Sequence, residues 1–446
     1  MIKLGNILTL SLLLLFVISN FAAVPQLDFV IGGLTLLVIL VCLPYCTKLN
    51  KIIGGVMISI SFFIIIINQY TLTEMTIAIS KNLPLMSLIV LVPILSIPII
   101  LGNYQRNIMD LAVKFAKKPQ QIYFFISASF FFLAPIINVG SIFIIHSMVK
   151  ELKLPTSLLG KVYMRGFIPA CMWAPYFASV LLIVNYYNIQ IHEYLHFGLF
   201  LGILQLVISN LLFSLRERKT VSWHTQKGKE FINLRKPYEL LIVITLLTVS
   251  IGLLEFFSSL NIILMVTFTV ILFSVIWSAY LKKQKDFLRE SKKFLLKIFP
   301  DRANEIVLFL TAGFFGSIAS TTSVGNNLNI LWVSIADYSI LLMIFFTIAF
   351  VSLFSFLGIH QIVMISIILA SVSNEAIGIN NIIMALTLLS SWAVGSTISS
   401  VSPPNIVISN LLRVSIFDLV LKWNLLYAII VACVHSLVIY CIYLMG

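Results

Sequence analysis

Long apolar blocks alternate with short clusters of charge, Pro, Gly or Asn along all 446 residues of the chain. A helix needs about 20 apolar residues to cross a hydrocarbon core about 30 Å thick. On that scale the blocks predict spans at 5–24, 28–46, 52–71 and 84–102. The stretch from Asn103 to Lys118 carries Arg106, Lys114, Lys117 and Lys118, yet Ile108, Leu111, Ala112 and Phe115 recur at helical spacing. It predicts a helix lying in the membrane interface. The next apolar run, 121–149, is too long for one straight span, and Pro135 with Asn138-Val139-Gly140-Ser141 breaks it midway. Two short arms meeting at a polar tip fit it better. Such a tip must be buried in protein or line a wet cavity, so the run predicts a re-entrant hairpin.

Further spans are predicted at 164–187, 194–215, 237–257, 261–281 and 303–322, with basic loops from Arg216 to Lys236 and from Lys282 to Arg302. A polar stretch, Ser323 to Asp337, precedes a second overlong apolar run at 339–372, broken at Leu357-Gly358-Ile359-His360-Gln361. A segment at 379–411, interrupted by Ser402-Pro403-Pro404-Asn405, and a span at 424–445 complete the chain. With a cytoplasmic N-terminus and hairpins that return to their starting side, every one of the 29 Lys and Arg residues except Lys81 falls on the cytoplasmic side. A wrong crossing count would scatter them over both faces. The fold class is therefore an all-α polytopic membrane protein of the plasma membrane, with about 11 transmembrane helices plus two re-entrant hairpins and an outside C-terminus. The first segment, with Lys3, a Leu-rich centre and Ala22-Ala23, also fits a signal peptide, whose cleavage would leave the remaining topology unchanged.

Composition changes what the charge means. At 60% hydrophobic and 10% charged, against about 25% charged in soluble domains, a water-soluble enzyme and a receptor with a large ectodomain are excluded. The net charge of +13 sits in short loops, which makes it a topology signal and not a nucleic-acid footprint. Cys42, Cys46, Cys171, Cys433 and Cys441 lie in apolar stretches with no metal-ligand spacing, which argues against a disulfide framework or a metal site. No cofactor is expected.

The order of elements repeats. Interfacial stretch, broken hairpin, Pro-interrupted span and final span occur at 103–215 and again at 323–445. The chain divides into an N-terminal helix (1–27), a first repeat (28–215), a basic cytoplasmic linker (216–236) and a second repeat (237–446). The first repeat holds scaffold helices at 28–102 and a hairpin and broken helix at 121–187; the second holds a hairpin at 339–372 and a broken helix at 379–411. By the crossing count the first hairpin enters from the cytoplasm and the second from outside, so the copies are inverted. Discontinuous helices at matched positions of two inverted halves point to a secondary transporter's midplane site.

A half-helix starting at mid-membrane exposes unpaired N–H groups and a partial positive charge, which favour an anion without any Arg. The candidates at the first tip are Asn138, Gly140 and Ser141, and at the second Gly358, His360 and Gln361. His360 could hydrogen-bond a substrate oxygen, titrate during transport, or simply pack at the break. His146 and His435 read as structural. Every Lys, Arg, Asp and Glu falls near a membrane end, with Glu305 and Arg165 the deepest. Pro403 and Pro404 lack N–H groups and free nearby carbonyls. With oxygens from Thr397, Ser399, Ser402 and Asn405 these suit a hard cation such as sodium; a plain Pro kink is the alternative. Trp173 and Tyr176 beside Pro175 either wall the site or pack.

The segment Ile398-Ser399-Ser400-Val401-Ser402-Pro403-Pro404-Asn405-Ile406-Val407-Ile408, followed by Ile416-Phe417-Asp418-Leu419, resembles the divalent-anion/sodium symporters of the ion transporter superfamily, carriers of dicarboxylates, citrate or sulfate. Ser402 replaces the Thr of that family's Thr-Pro-Pro-Asn segment. The resemblance implies an elevator-type carrier, usually a homodimer, in which a transport domain slides against a scaffold. It also implies hairpin tips that hold substrate carboxylates and help to form sodium sites, which brings Asn138 and Ser141 into the cation set. The family's Ser-Asn-Thr tip motif reads here as Asn138-Val139-Gly140-Ser141 and Gly358-Ile359-His360-Gln361, and the first Pro-Pro-Asn counterpart as Ala174-Pro175-Tyr176.

The function expected is secondary active transport of a small anion, a di- or tricarboxylate or an inorganic oxyanion, coupled to sodium or protons. An amphipathic or lipid-linked anion such as polyprenyl phosphate fits the same fold. A membrane-embedded enzyme using His360 or His146 as a base would need a nucleophile or metal partner within reach, and the sequence offers no such motif. A passive channel would show continuous polar-lined helices in place of matched breaks. The expected partners are the anionic substrate and the lipid bilayer, not nucleic acid.

Overall fold

The computed structural model describes residues 2–21, 25–104, 118–217, 235–258 and 260–446. The body of the expected interfacial helix (105–117) and most of the expected loop at 216–236 (218–234) lie outside them. Among the described residues every regular element is a helix. Lipid offers backbone groups no hydrogen-bond partner, so each segment must satisfy its own.

Among the described residues nine helices are long and apolar enough to cross a membrane, or up to 10 if the bent pair Gln284–Ala319 and Ser323–Tyr338 is one span. The count differs from the expected 11 for local reasons. The first helix, Lys3–Ser19, is shorter than a span. The segment at 164–187 is two pieces, Thr156–Phe167 with a tight turn at Ile168–Met172, and Ala178–Tyr186. The expected span 84–102 belongs to a 30-residue segment, Leu72–Leu101. It begins earlier because Thr71 and Glu74 form a reciprocal capping box, Thr71 N–H donating to the Glu74 carboxylate at 2.7 Å.

The basic stretch at 282–302, expected as a loop, is the first half of the 36-residue helix Gln284–Ala319. Ion pairs at helical spacing line its surface, Arg289 with Asp286 at 3.1 Å and Lys293 with Glu290 at 2.8 Å. Pro300 inside it removes the N–H that would reach the Leu296 carbonyl. Asn6 repairs the gap: its Nδ2 donates to that carbonyl at 2.6 Å, and its Oδ1 accepts the Phe299 N–H at 2.9 Å. Beyond Ala319 the chain turns by 84° into Ser323–Tyr338.

Both overlong runs are broken helices. The first is Pro119–Ile137 followed by Gly140–Val149, the second Ile340–Phe356 followed by Gln361–Ser371. Asn138 turns at φ 53° and Gly358 at φ 97°, backbone angles an L residue other than Asn or Asp rarely adopts. The second interrupted helix pairs Asn381–Ile398 with Pro403–Leu412. The succession of hairpin, broken helix and long helix occurs twice.

The apolar interior divides into two main clusters. One gathers the hairpins, the broken helices and the long helices behind them, including Phe130, Ile168, Ile365 and Leu388. The other joins the first four helical segments to Gln284–Ala319 through Leu12, Val38, Met86, Val307 and Phe314. The seam between these bodies is where the site lies.

Candidate functional site

One cavity, offering about 100 Å³ to solvent, receives both hairpin tips and both helix breaks. Asn138 and Val139 reach it from the first tip, His360 and Gln361 from the second. Tyr176, Ala178 and Ser179 come from one break and Pro403 and Pro404 from the other. Four helices therefore begin at its wall: Gly140–Val149, Ala178–Tyr186, Gln361–Ser371 and Pro403–Leu412. Each carries the positive end of its dipole and the unpaired N–H groups of a first turn, so the four ends converge on a place for negative charge.

The second tip has the clearest chemistry. His360 caps the helix it precedes, its Nδ1 accepting the Ile362 N–H at 3.3 Å. An Nδ1 that accepts belongs to a neutral ring, whose one proton sits on Nε2 and is free to donate. The ring stands edge-on to Trp392, centroids 6.0 Å apart, and both residues line the cavity. Gln361 Nε2 donates to Ser396 Oγ at 2.6 Å, while its Oε1 is buried and has no partner.

Behind Pro403 and Pro404 the carbonyls freed at the end of Asn381–Ile398 are gathered by Asn405. Its Nδ2 donates to the carbonyls of Ser396, Thr397 and Ser399 at 3.0, 3.3 and 2.7 Å. Ser402 Oγ adds a bond to the Ser396 carbonyl at 3.1 Å, and Thr397 Oγ1 donates back to the Ala393 carbonyl at 2.9 Å. Ser399 Oγ accepts the Val401 N–H at 3.2 Å. The group is fully enclosed, and Asn405 Oδ1 within it has no donor. Thr397, Ser399, Ser402 and Asn405 are thus brought together as one oxygen-rich cluster, none of them on the cavity wall.

The remaining candidates are placed differently. Ser141 Oγ donates to the Asn138 carbonyl at 2.6 Å and Asn138 Oδ1 accepts the Val139 N–H at 2.8 Å, so these polar groups serve their own tip. No hydrogen bond joins them to the Ser402–Asn405 cluster among the described residues. Gly140 packs on Ile137, and Gly358 makes its turn beside Ser400 and Val401; neither lines the cavity. Pro175 is also off the wall. Trp173 stacks on Phe131 at 5.4 Å instead. His146 pairs with Tyr163 at 3.1 Å and His435 with Ser390 at 3.0 Å, away from the cavity. Arg165, 1% exposed, ties its own helix to the last one through the Asn424 side chain at 3.0 Å and the Trp423 carbonyl at 2.5 Å, and pairs with Glu217 at 3.3 Å.

Arg302 and Glu305 line the cavity and were not among the sequence candidates. They pair with each other at 3.0 Å across less than one helical turn. The signal was their spacing of three residues on one helix; a charge at a membrane end otherwise reads as an anchor.

No protein-family model and no curated protein matches the sequence. In three dimensions the chain is similar to the YdaH transporter of Alcanivorax borkumensis, with a TM-score of 0.54 and 12% identity over 80% of this chain and 84% of that one. The chain has the fold of a membrane transporter. The polytopic helical architecture read from the apolar blocks stands, and the protein is integral to a membrane.

Proposed function

We propose that this protein is a secondary active transporter of a small anion, moved by alternating access through the cavity between the two bodies. The observation that carries this is the convergence of four helix N-termini on one cavity at the meeting of two similar half-molecules. Helix-end dipoles and N–H groups bind negative charge without a buried Arg, and His360 Nε2–H adds a directed donor. The Asn405 cluster supports coupling to a cation: its unpartnered Oδ1, with carbonyl and hydroxyl oxygens that keep a free lone pair, is a donor set for sodium.

The resemblance of Ser402-Pro403-Pro404-Asn405 to the divalent-anion/sodium symporters supports a di- or tricarboxylate or an inorganic oxyanion as substrate. The divided core supports an elevator, with the hairpin body sliding on the body that holds Gln284–Ala319, and with a homodimer as the assembly. On this reading the protein sits in the plasma membrane with its N-terminus cytoplasmic. On the same reading the end of the cavity lined by Arg302 and Glu305 faces the cytoplasm.

The test is counterflow in proteoliposomes with labelled succinate, citrate, sulfate and phosphate, with and without a sodium gradient. Saturable exchange of at least one is expected. Absence of exchange for all four, with binding of polyprenyl phosphate in its place, overturns the small-anion reading in favour of a lipid-linked one.

A further inference from the structure

Four helical segments that line the central cavity also line a second pair of cavities further along the same seam. The adjoining pair offers about 230 and 220 Å³ and shares Lys81, Asn82, Leu182 and Tyr186. Each segment passes from one site to the other: Leu85 to Leu88, Ser179 to Leu182, Phe309 to Gly313, and Gln361 to Ser366. The steps of three to five residues rise about 4.5–7.5 Å along their helices. Leu310, Ala312, Leu181, Ile362 and Ile365, all fully buried, fill the layer between. The two places lie along the same four segments, separated by an apolar layer.

We propose that the outer station is a second anion site, built on Lys81 and Ser366, which collects the substrate on the face opposite the cytoplasm before the seam opens. Lys81 is the one basic residue that the crossing count puts outside. Among the described residues it has no carboxylate within ion-pair distance, and its Nζ lies 5.3 Å from the Tyr186 ring centroid. Ser366 is 6% exposed and its Oγ has no partner, so a buried donor is held free beside the same cavity. Ser320 and Thr321 spend their hydroxyl protons on the carbonyls of Ser317 and Ile318, which leaves Lys81, Ser366 and the Ser317 hydroxyl to meet a ligand. Glu375 lines a wider opening that shares Tyr186, and its charge biases an anion toward the Lys81 side. Lys81 is exposed to solvent at the edge of this cavity, where a lone cation still attracts anions to its neighbourhood. The purpose of this station rests on the transporter reading, whereas its chemistry does not.

The test uses right-side-out vesicles holding the full chain and a membrane-impermeant amine-acetylating reagent, with Lys81 modification read by peptide mass spectrometry. Lys81 should be modified from outside, and at least one of succinate, citrate, sulfate and phosphate should protect it, with half-protection needing about tenfold more anion in Ser366→Ala. In transport, Lys81→Gln should raise the KM for uptake about tenfold, leave the KM for efflux unchanged, and be rescued by Lys81→Arg. An unreactive Lys81, or modification indifferent to all four anions, overturns the proposal; so does an equal rise of both KM values. Counterflow by the wild type without protection of Lys81 would condemn this station alone. Protection without any counterflow would keep the station and condemn the transporter reading.

Discussion

His360 has two jobs that one substitution can separate. Its Nδ1 holds a helix N-terminus, and its Nε2–H is the donor proposed for the anion. His360→Asn keeps a good cap and removes the ring donor, whereas His360→Ala removes both. The cap is worth about 1 kcal/mol. His360→Asn should therefore melt near the wild type in detergent and bind the transported anion about tenfold more weakly, while His360→Ala also loses stability. Equal affinity of wild type and His360→Asn would reduce the ring to a cap. Asn405 divides in the same way, its Nδ2 tending three carbonyls and its Oδ1 left open. Asn405→Ala should cost about 1–3 kcal/mol for the carbonyls left without a donor and weaken the sodium dependence of counterflow by about tenfold. A lower melting point with sodium dependence intact would leave it only the structural role. The sequence named both residues because Pro, Gly and Asn at a break are visible as letters. It did not tell which atom of each is spent on the backbone, because that depends on the carbonyls the break happens to free.

At the scale of elements, close backbone contact fixes how far the two bodies can settle against each other. Gly316, on Gln284–Ala319, faces the second hairpin, and a Cβ there would lie 2.9 Å from the Ser366 carbonyl oxygen. Backbone cannot rotate away as a side chain does. Gly316→Ala should cost about 1–3 kcal/mol in overpacking, partly offset by about 1 kcal/mol of helix propensity, and lower the melting temperature. Gly55→Ala, with open space around its Cβ, should be neutral or stabilising. If both substitutions behave alike, the contact is looser than described. The elements at this seam were readable to different degrees. Both tips and the Ser402–Asn405 break fell where Asn138, Gly358 and Pro403 forbid a regular helix. The helix carrying Gly316 was read as a loop followed by a span, because the charges from Lys282 to Arg302 imitate a loop when ion pairing three residues apart is ignored. The early start at Leu72 was missed because Lys81 breaks the apolar run while the helical segment continues past it.

At the scale of the whole molecule, two core clusters joined by a seam make a two-body machine, provided that the bodies move. Gly316 belongs to one body and Ser366 to the other, with a Cβ at Gly316 standing 3.3 Å from that of Ser366, just under the about 3.5–4.5 Å that a disulfide spans. A Gly316→Cys/Ser366→Cys pair, in a background without the five native cysteines, should cross-link under mild oxidation and stop counterflow, with reductant restoring it. On the elevator reading a sliding body carries Ser366 past Gly316 by far more than a bond can stretch, so the bond traps the arrangement seen here, with Arg302 and Glu305 lining the central cavity. Transported anion in excess should not slow the cross-linking, since the cavity that binds it is formed in the arrangement the bond traps, and a ligand shifts an equilibrium only toward the state it prefers. Full counterflow by the cross-linked protein would mean that this seam stays still during transport and that alternating access, if it occurs, runs along another surface.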